Sequence, residues 1–209
     1  MTTIEKVRVP KLKDLTLKEI QEYHDSVLLG KTYRYTVRQH KKKETFQIDI
    51  RFFKENLPHL LGIQKVAPPY SSRTYKGKDG YDGIANETIT LDKLYNFDAQ
   101  RKDRDKKLPF IESRLTHFFL MEELLLNCKI VKFSAENVDG FCEINSEFIL
   151  YHDDLGVRLH LGVVQEQDDK NLYSPETFIV RKIRRGHDRY TKCPPQVYMN
   201  VVNCEVMSN

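Results

Sequence analysis

His59, His160 and Thr177 are the side chains of this 209-residue chain best placed by their neighbours for proton transfer and anion binding. His59 lies in Asn56-Leu57-Pro58-His59-Leu60-Leu61-Gly62-Ile63, ahead of a glycine turn that can aim it. A neutral imidazole, with an ordinary pKa near 6.5, can take or give a proton. The plainer alternative is a partly buried histidine that caps a helix. In Val157-Arg158-Leu159-His160-Leu161-Gly162-Val163 the aliphatic residues alternate strictly with Arg158, His160 and Gly162. In Pro175-Glu176-Thr177-Phe178-Ile179-Val180-Arg181 the same period sends Phe178 and Val180 to one side, Thr177 and Arg181 to the other. A strand with one apolar face and one cationic or hydroxylic face has a core to cover and something polar to meet. His160 beside Arg158 on an open face suits phosphate binding or proton transfer; the alternative is a surface strand residue paired with Glu147 or Tyr151 across the sheet.

Cations and tyrosines gather around these positions. Arg181, Lys182, Arg184, Arg185 and Arg189 form a basic strand end and turn, with Tyr190 and Tyr198 nearby. Tyr70, Arg73, Tyr75, Lys76 and Lys78 repeat the mixture upstream. Phosphate contacts plus stacking on aromatic rings is how single-stranded nucleic acid is held, so these features fit RNA better than a small anionic metabolite. Charge is segregated along the chain. Six basic residues and no acid lie between Lys31 and Lys43, whereas Ala135 to Gly156 carries acids and no Lys or Arg. The net charge of +4 conceals that polarity. The sequence holds no Gly-rich phosphate loop, G-x-G-x-x-G, H-E-x-x-H or G-x-S-x-G, which argues against an ATPase, dehydrogenase, zinc protease or serine hydrolase. Its carboxylates are not clustered as a divalent-metal nuclease requires, so no metal or other cofactor is expected.

The elements that must position these groups can be read from pattern. Thr16-Leu17-Lys18-Glu19 has capping-box spacing, and a helix follows towards Gly30. Lys31–Gln39 and Thr45–Phe53 alternate on either side of a basic tip, which predicts a β-hairpin. Phe52–Ile63 predicts a short helix broken by a turn. Residues from Ala67 to Gly83, rich in Pro, Gly, Ser and Tyr, predict one long loop. Thr88–Tyr95 predicts a short helix and Pro109–Asn127 a long one, with Ile111, Leu115, Phe118, Phe119, Leu125 and Leu126 on a broad apolar face. Strands are expected at Lys129–Ser134, Glu147–His152, Val157–Gln165, Glu176–Lys182 and Val197–Val202, joined by short turns and hence antiparallel. The class is α+β: N-terminal helices and a hairpin, then an antiparallel β-meander with one long packed helix. The chain divides into an N-terminal helical and hairpin extension at 1–45 and a domain at 46–209, or the two form one domain.

Forty per cent hydrophobic residues suit a folded protein. Cys128, Cys142, Cys193 and Cys204 have no C-x-x-C spacing, as expected for reduced thiols in the cytoplasm. No stretch approaches the roughly 18 apolar residues of a membrane span, and the N-terminus lacks a signal-like apolar core.

The Asn56–Ile63 segment, Ile111-Glu112-Ser113-Arg114-Leu115, Ile130–Phe133, Phe148–Tyr151 and Pro175–Phe178 occur in an order that resembles the phage-associated branch of the Barnase–EndoU–colicin–RelE-like nucleases. The resemblance runs from Ile48 to Val202. It implies N-terminal helices before a four-stranded antiparallel meander, and a metal-independent endoribonuclease of toxin or phage-effector type. It also implies RNA as partner, with a cognate antitoxin or immunity protein as a second one. Carried over by position, it implies His59 and Thr177 as catalytic residues. His160 as a further catalytic group, and Arg158, Arg181, Arg184, Arg185, Arg73 and Tyr198 as substrate contacts, follow from strand phasing and composition. In the expected reaction His59 or His160 deprotonates a ribose 2′-OH, which attacks the adjacent phosphate to give a 2′,3′-cyclic phosphate. The alternatives are a catalytically inactive module that binds RNA or protein on the same platform, and a protein that contacts its host through the acidic Glu136–Asp154 surface.

Overall fold

The first helix, α1 (Leu17–Tyr23), is set by the reciprocal cap expected of Thr16 and Glu19. The Thr16 hydroxyl accepts from the Glu19 N–H at 3.1 Å, and Glu19 accepts from the Thr16 N–H at 2.7 Å. This computed structural model describes residues 9–102, 106–138, 142–154, 156–183, 188, 190–191 and 196–208. After α1 the chain widens into a π turn, His24–Leu28, and reverses at Gly30 in the left-handed region. The hairpin forms where expected: β1 (Lys31–Gln39) pairs with β2 (Thr45–Arg51), Thr32 opposite Arg51 and Arg38 opposite Thr45. Leu17, Ile20, Tyr33 and Tyr35 lie in the same core as the later elements, and a boundary at residue 45 falls where β2 begins.

A short helix, α2 (Asn56–Leu61), ends on Gly62 as the sequence suggested. The expected loop from Ala67 to Gly83 is instead a 3-10 helix, Pro69–Tyr75, followed by α3 (Gly77–Ala85). Gly77 starts α3 at a positive φ of 50°, and Gly80 and Gly83 are there for close packing. A Cβ on Gly80 would lie 2.7 Å from the Tyr75 carbonyl carbon, and one on Gly83 would lie 2.6 Å from Ile89 Cδ1. Composition cannot separate a glycine that breaks a helix from one that lets a neighbour approach. After α4 (Leu91–Ala99), the long helix expected at Pro109–Asn127 is split into α5 (Leu108–His117), a 3-10 turn and α6 (Met121–Asn127). At the break the Thr116 hydroxyl donates to the Glu112 carbonyl at 3.1 Å, and His117 Nδ1 donates to the Ser113 carbonyl at 2.9 Å. Side chains that take carbonyls from the helical ladder favour such bends.

The remaining strands are β3 (Lys129–Lys132), β4 (Phe148–Asp154), β5 (Val157–Gln165), β6 (Leu172–Lys182) and β7 (Val197–Ser208). β3 to β6 form the expected antiparallel meander. The sheet as a whole is not an open meander. Among the described residues it runs β1-β2-β6-β5-β4-β3-β7 and closes into a barrel. Two joins close it. β2 meets β6 in parallel through Asp49 opposite Leu172 and Ile50 opposite Tyr173, and β7 lies antiparallel between β3 and β1. Closure satisfies backbone groups that sheet edges would expose. Neither join is a short connection, so hairpin spacing did not reveal them.

One sheet face packs Tyr33, Ile48, Ile50, Leu159, Leu161 and Phe178 against Leu57, Leu60, Ile111, Leu115, Phe118 and Leu124 of the helices. The buried Tyr35 hydroxyl donates to the Leu125 carbonyl at 2.6 Å. The opposite face carries a smaller cluster of Val131, Phe133, Ile149, Tyr151 and Tyr190. Cys128, Cys142 and Cys204 are free thiols, burial pushing Cys128 up to about 12; Cys193 lies outside the described residues. Among the described residues, no helix is long and apolar enough to cross a membrane.

His24 is fully buried among the rings of Phe52, Tyr81 and Phe118, and its Nε2 has no partner. Burial lowers its pKa from 6.5 despite Asp25 at 3.1 Å, so the ring is neutral and Nδ1–H donates to that carboxylate. Below pH 6.5 the unfolded chain therefore binds a proton at this position that the folded chain refuses, and stability falls as pH falls. Urea unfolding at stepped pH from 7 to 5 is expected to show this loss in the wild type. The slope should be shallower in His24→Phe; an unchanged slope would assign the effect elsewhere.

Candidate active site

Helix α2 buries Leu57, Pro58, Leu60 and Leu61 and leaves His59 about half exposed on its outer side. Gly62 then takes φ 76°, a left-handed conformation that ends the helix and turns the chain into the 3-10 helix Ile63–Lys65. That turn does more than stop α2. A Cβ at position 62 would lie 3.0 Å from Ile111 Cγ2 and 3.2 Å from Arg114 Nη1, so the bare backbone makes room for a guanidinium arriving from α5. His59, Lys65 and Arg114 thereby line one side of a cleft of about 430 Å³. Thr177 and Ile179 of β6 line it as well, together with Glu143, Asn145, Glu176 and Tyr190.

A second glycine shapes the cleft. Gly162 on β5 lies opposite Thr177, and a Cβ there would be 2.3 Å from Ser146 Oγ and 2.7 Å from Thr177 Cγ2. The missing side chain lets the segment leading into β4 lie across the sheet beside Thr177, which brings Asn145 into the cleft lining.

The electrostatics favour an anion. Lys65 and Arg114 both have lowered pKa values, first through partial burial, which is slight for the exposed Lys65, and for Lys65 also through the charge of Arg114 against the opposing pull of Glu143. Among the described residues neither makes an ion pair. Two neighbouring cations that make no ion pair among the described residues gain from a ligand that carries negative charge, although Glu143 and Glu176 in the same cleft offset part of their field. His59 is lowered below 6.5, first by desolvation and then by Lys65, Arg114 and Lys76, against the opposing pull of Glu176. Its Nε2 is 3.8 Å from Glu176 Oε1, and its Nδ1 is hydrogen-bonded to the Gln64 side-chain amide at 3.0 Å. The cleft thus offers a neutral imidazole, two cations and a hydroxyl. Among the described residues, no group of three His, Cys, Asp or Glu side chains is arranged to hold a metal ion.

A family model described as phage-Barnase-EndoU-ColicinE5/D-RelE like nuclease4 matches residues 16–201, most of the chain. The chain belongs to this nuclease family. The match begins upstream of Ile48, where the sequence resemblance began, and so takes in α1 and β1. Comparison with curated proteins and comparison with solved structures each returned no match.

In this member of the nuclease4 family, the structure brings His59 and Thr177 to one cleft. It does not bring His160 there. His160 shares the outer sheet face with Thr177, but that face is not open: the ring is 1% exposed, stacked on Tyr151, and its Nε2 is 2.9 Å from Asp188. Tyr151 is its cross-strand partner, as the alternative had it, but His160 is buried and not the surface residue which that alternative expected. Arg158 is likewise engaged, pairing with Asp153 and, at 2.9 Å, with Asp188. Alternation gave the face of both residues, but not that Asp188 and Tyr190 meet them there. Arg181 borders an adjoining hollow, its guanidinium 4.9 Å over the Tyr190 ring and donating to the Tyr190 hydroxyl at 3.0 Å. Arg73, on its 3-10 helix, lines neither hollow; nor does Tyr198, whose hydroxyl donates to the Thr191 carbonyl at 2.7 Å. Arg184 and Arg185 lie outside the described residues.

Sequence reasoning missed Lys65, Glu176 and Arg114 as site residues. Only Arg114 left a signal, a cation between Ile111 and Leu115 on the apolar stripe of α5. The contact of Gly62 with Arg114 can be measured by a double-mutant cycle. Gly62→Ala is expected to cost about 1–3 kcal/mol through left-handed strain and displacement of the guanidinium. Adding Arg114→Ala should give back part of that cost in denaturant unfolding, and costs that simply add would disprove the coupling.

Proposed function

We propose that this nuclease cleaves RNA at the cleft between α2, α5 and β6, using its own side chains for acid, base and charge stabilisation. The observation that carries the reading is His59, lowered in pKa, sharing one cleft with Thr177 and with the cations Lys65 and Arg114, which make no ion pair among the described residues. A phosphodiester would sit against the two cations, with a phosphate oxygen accepting from the Thr177 hydroxyl. His59 Nε2 removes the proton of the ribose 2′-OH as its oxygen attacks phosphorus. This needs the tautomer with hydrogen on Nδ1, which the Gln64 carbonyl can accept once the two amide atoms exchange places by rotation. The P–O5′ bond breaks, and Lys65, a better acid than an ordinary lysine because burial and Arg114 lower its pKa, protonates the departing oxygen. The products are a 2′,3′-cyclic phosphate and a free 5′-OH; solvent exchange resets His59 and Lys65. Arg114 stabilises the negative charge on the non-bridging oxygens of the pentavalent phosphorus.

No divalent ion is needed in this scheme, and DNA, lacking the nucleophile, is not a substrate. The role follows as a cytoplasmic toxin or phage effector acting on RNA and held in check by an antitoxin or immunity protein. Its biological readout is growth arrest on expression, relieved by His59→Ala.

Purified protein incubated with RNA in EDTA is expected to yield cyclic-phosphate ends, and His59→Ala should lower kcat by about 10²–10⁴-fold. Loss of cleavage with chelator, or equal cleavage of DNA, would refute the mechanism. Because His59 must be neutral, kcat/KM should rise with pH through a limb below 6.5, and because Lys65 must be protonated it should fall through a limb below 10.5. Glu176→Gln removes the charge that raises the His59 pKa, so the acid limb should move to lower pH. A limb that stays in place would separate Glu176 from His59.

A further inference from the structure

The catalytic cleft does not stand alone. A second hollow of about 800 Å³ adjoins it, and the two share Lys65, Arg114, Glu143, Ile179 and Tyr190. His59 and Thr177 belong only to the first, Ser113, Val180 and Arg181 only to the second. The two cations therefore stand where the hollows meet, and each hollow is within the size range of a small-molecule site. Tyr190 is common to both and is held from two directions. Its backbone N–H donates to buried Asp188 at 3.1 Å, and its hydroxyl accepts from Arg181 at 3.0 Å.

A phosphate at that junction has a nucleoside on either side. We infer, on the RNA-cleavage reading above, that the site takes an internal stretch of single-stranded RNA, with one nucleotide in each hollow. The polarity follows from the chemistry. The nucleotide whose 2′-OH attacks must reach His59, so it occupies the first hollow. The nucleotide on the leaving 5′-oxygen occupies the second, where Ile179 offers apolar surface for its base beside Tyr190, whose ring carries the Arg181 guanidinium. Its own 3′-phosphate then lies towards Arg181, one linkage beyond the scissile bond. Arg181 is a substrate-binding residue that never touches the reacting atoms.

The test uses 2′-O-methyl oligonucleotides, which lack the attacking hydroxyl and so report binding independently of cleavage. Starting from a dinucleotide, adding one nucleotide with its phosphate on the 3′ side is expected to tighten Kd roughly tenfold, as a charge-assisted phosphate contact would. Adding one on the 5′ side should change it little. Arg181→Ala should abolish most of the 3′ step and Arg181→Lys should keep much of it. No 3′ step, an equal or larger 5′ step, or a 3′ step unaffected by Arg181→Ala would each overturn the assignment. The cleavage reading is judged separately: a protein that shows the 3′ step but cuts no RNA keeps this inference and loses the mechanism. One that cuts long RNA without any 3′ step does the reverse.

Discussion

The outer face of the sheet depends on one buried carboxylate. Asp188 accepts from His160 Nε2, from the Arg158 guanidinium, from the Thr191 hydroxyl and from the backbone N–H of Tyr190. Burial by itself would raise its pKa, but the bonds from His160, Thr191 and Tyr190 outweigh this and hold it well below the usual carboxylate range. A carboxylate so engaged is stable in the interior because its charge is met from several sides. Through it, strand β5 is tied to the segment that carries Tyr190, and Tyr190 borders the cleft.

The cleft side works by the opposite logic. Asp188 is crowded with partners, whereas Lys65 and Arg114 make no ion pair among the described residues, although Glu143 and Glu176 line the same cleft. The cost of holding two cations close together is met by the fold around them. Gly62 makes that possible at the level of the backbone, because its left-handed turn both ends α2 and admits the Arg114 side chain. Gly162 does the same for the opposite wall by letting Ser146 lie against Thr177. Two glycines on separate elements thus set the shape of one cleft.

Barrel closure joins the two regions. β6 is the shared strand: Phe178 faces the main core, while Thr177, Ile179 and Arg181 face the cleft and its neighbour. Its start is fixed by the parallel contact with β2, and its length by pairing along β5 from Tyr173 to Lys182. A register slip of one residue would exchange Thr177 with Phe178 and turn the cleft face apolar.

The amino-acid sequence alone determined whatever depends on near neighbours. The Thr16 cap, the β1–β2 hairpin, the β3–β6 meander and the two faces of β5 and β6 follow from spacing, because side-chain direction repeats every two residues in a strand and caps are local. Strand phase gave the face of Thr177 and the glycine turn the end of the helix that carries His59, while the pairing of the two as site residues came only from the family resemblance. Tertiary structure decided the rest. That His160 is sealed while Thr177 is accessible depends on which segment lies over each, and alternation is silent on cover. The meeting of Lys65 with Arg114, the helical packing of residues 69–85 and the insertion of β7 between β1 and β3 all join residues far apart in the chain. Their pairing is set by shape and desolvation in three dimensions, for which a linear pattern carries no term.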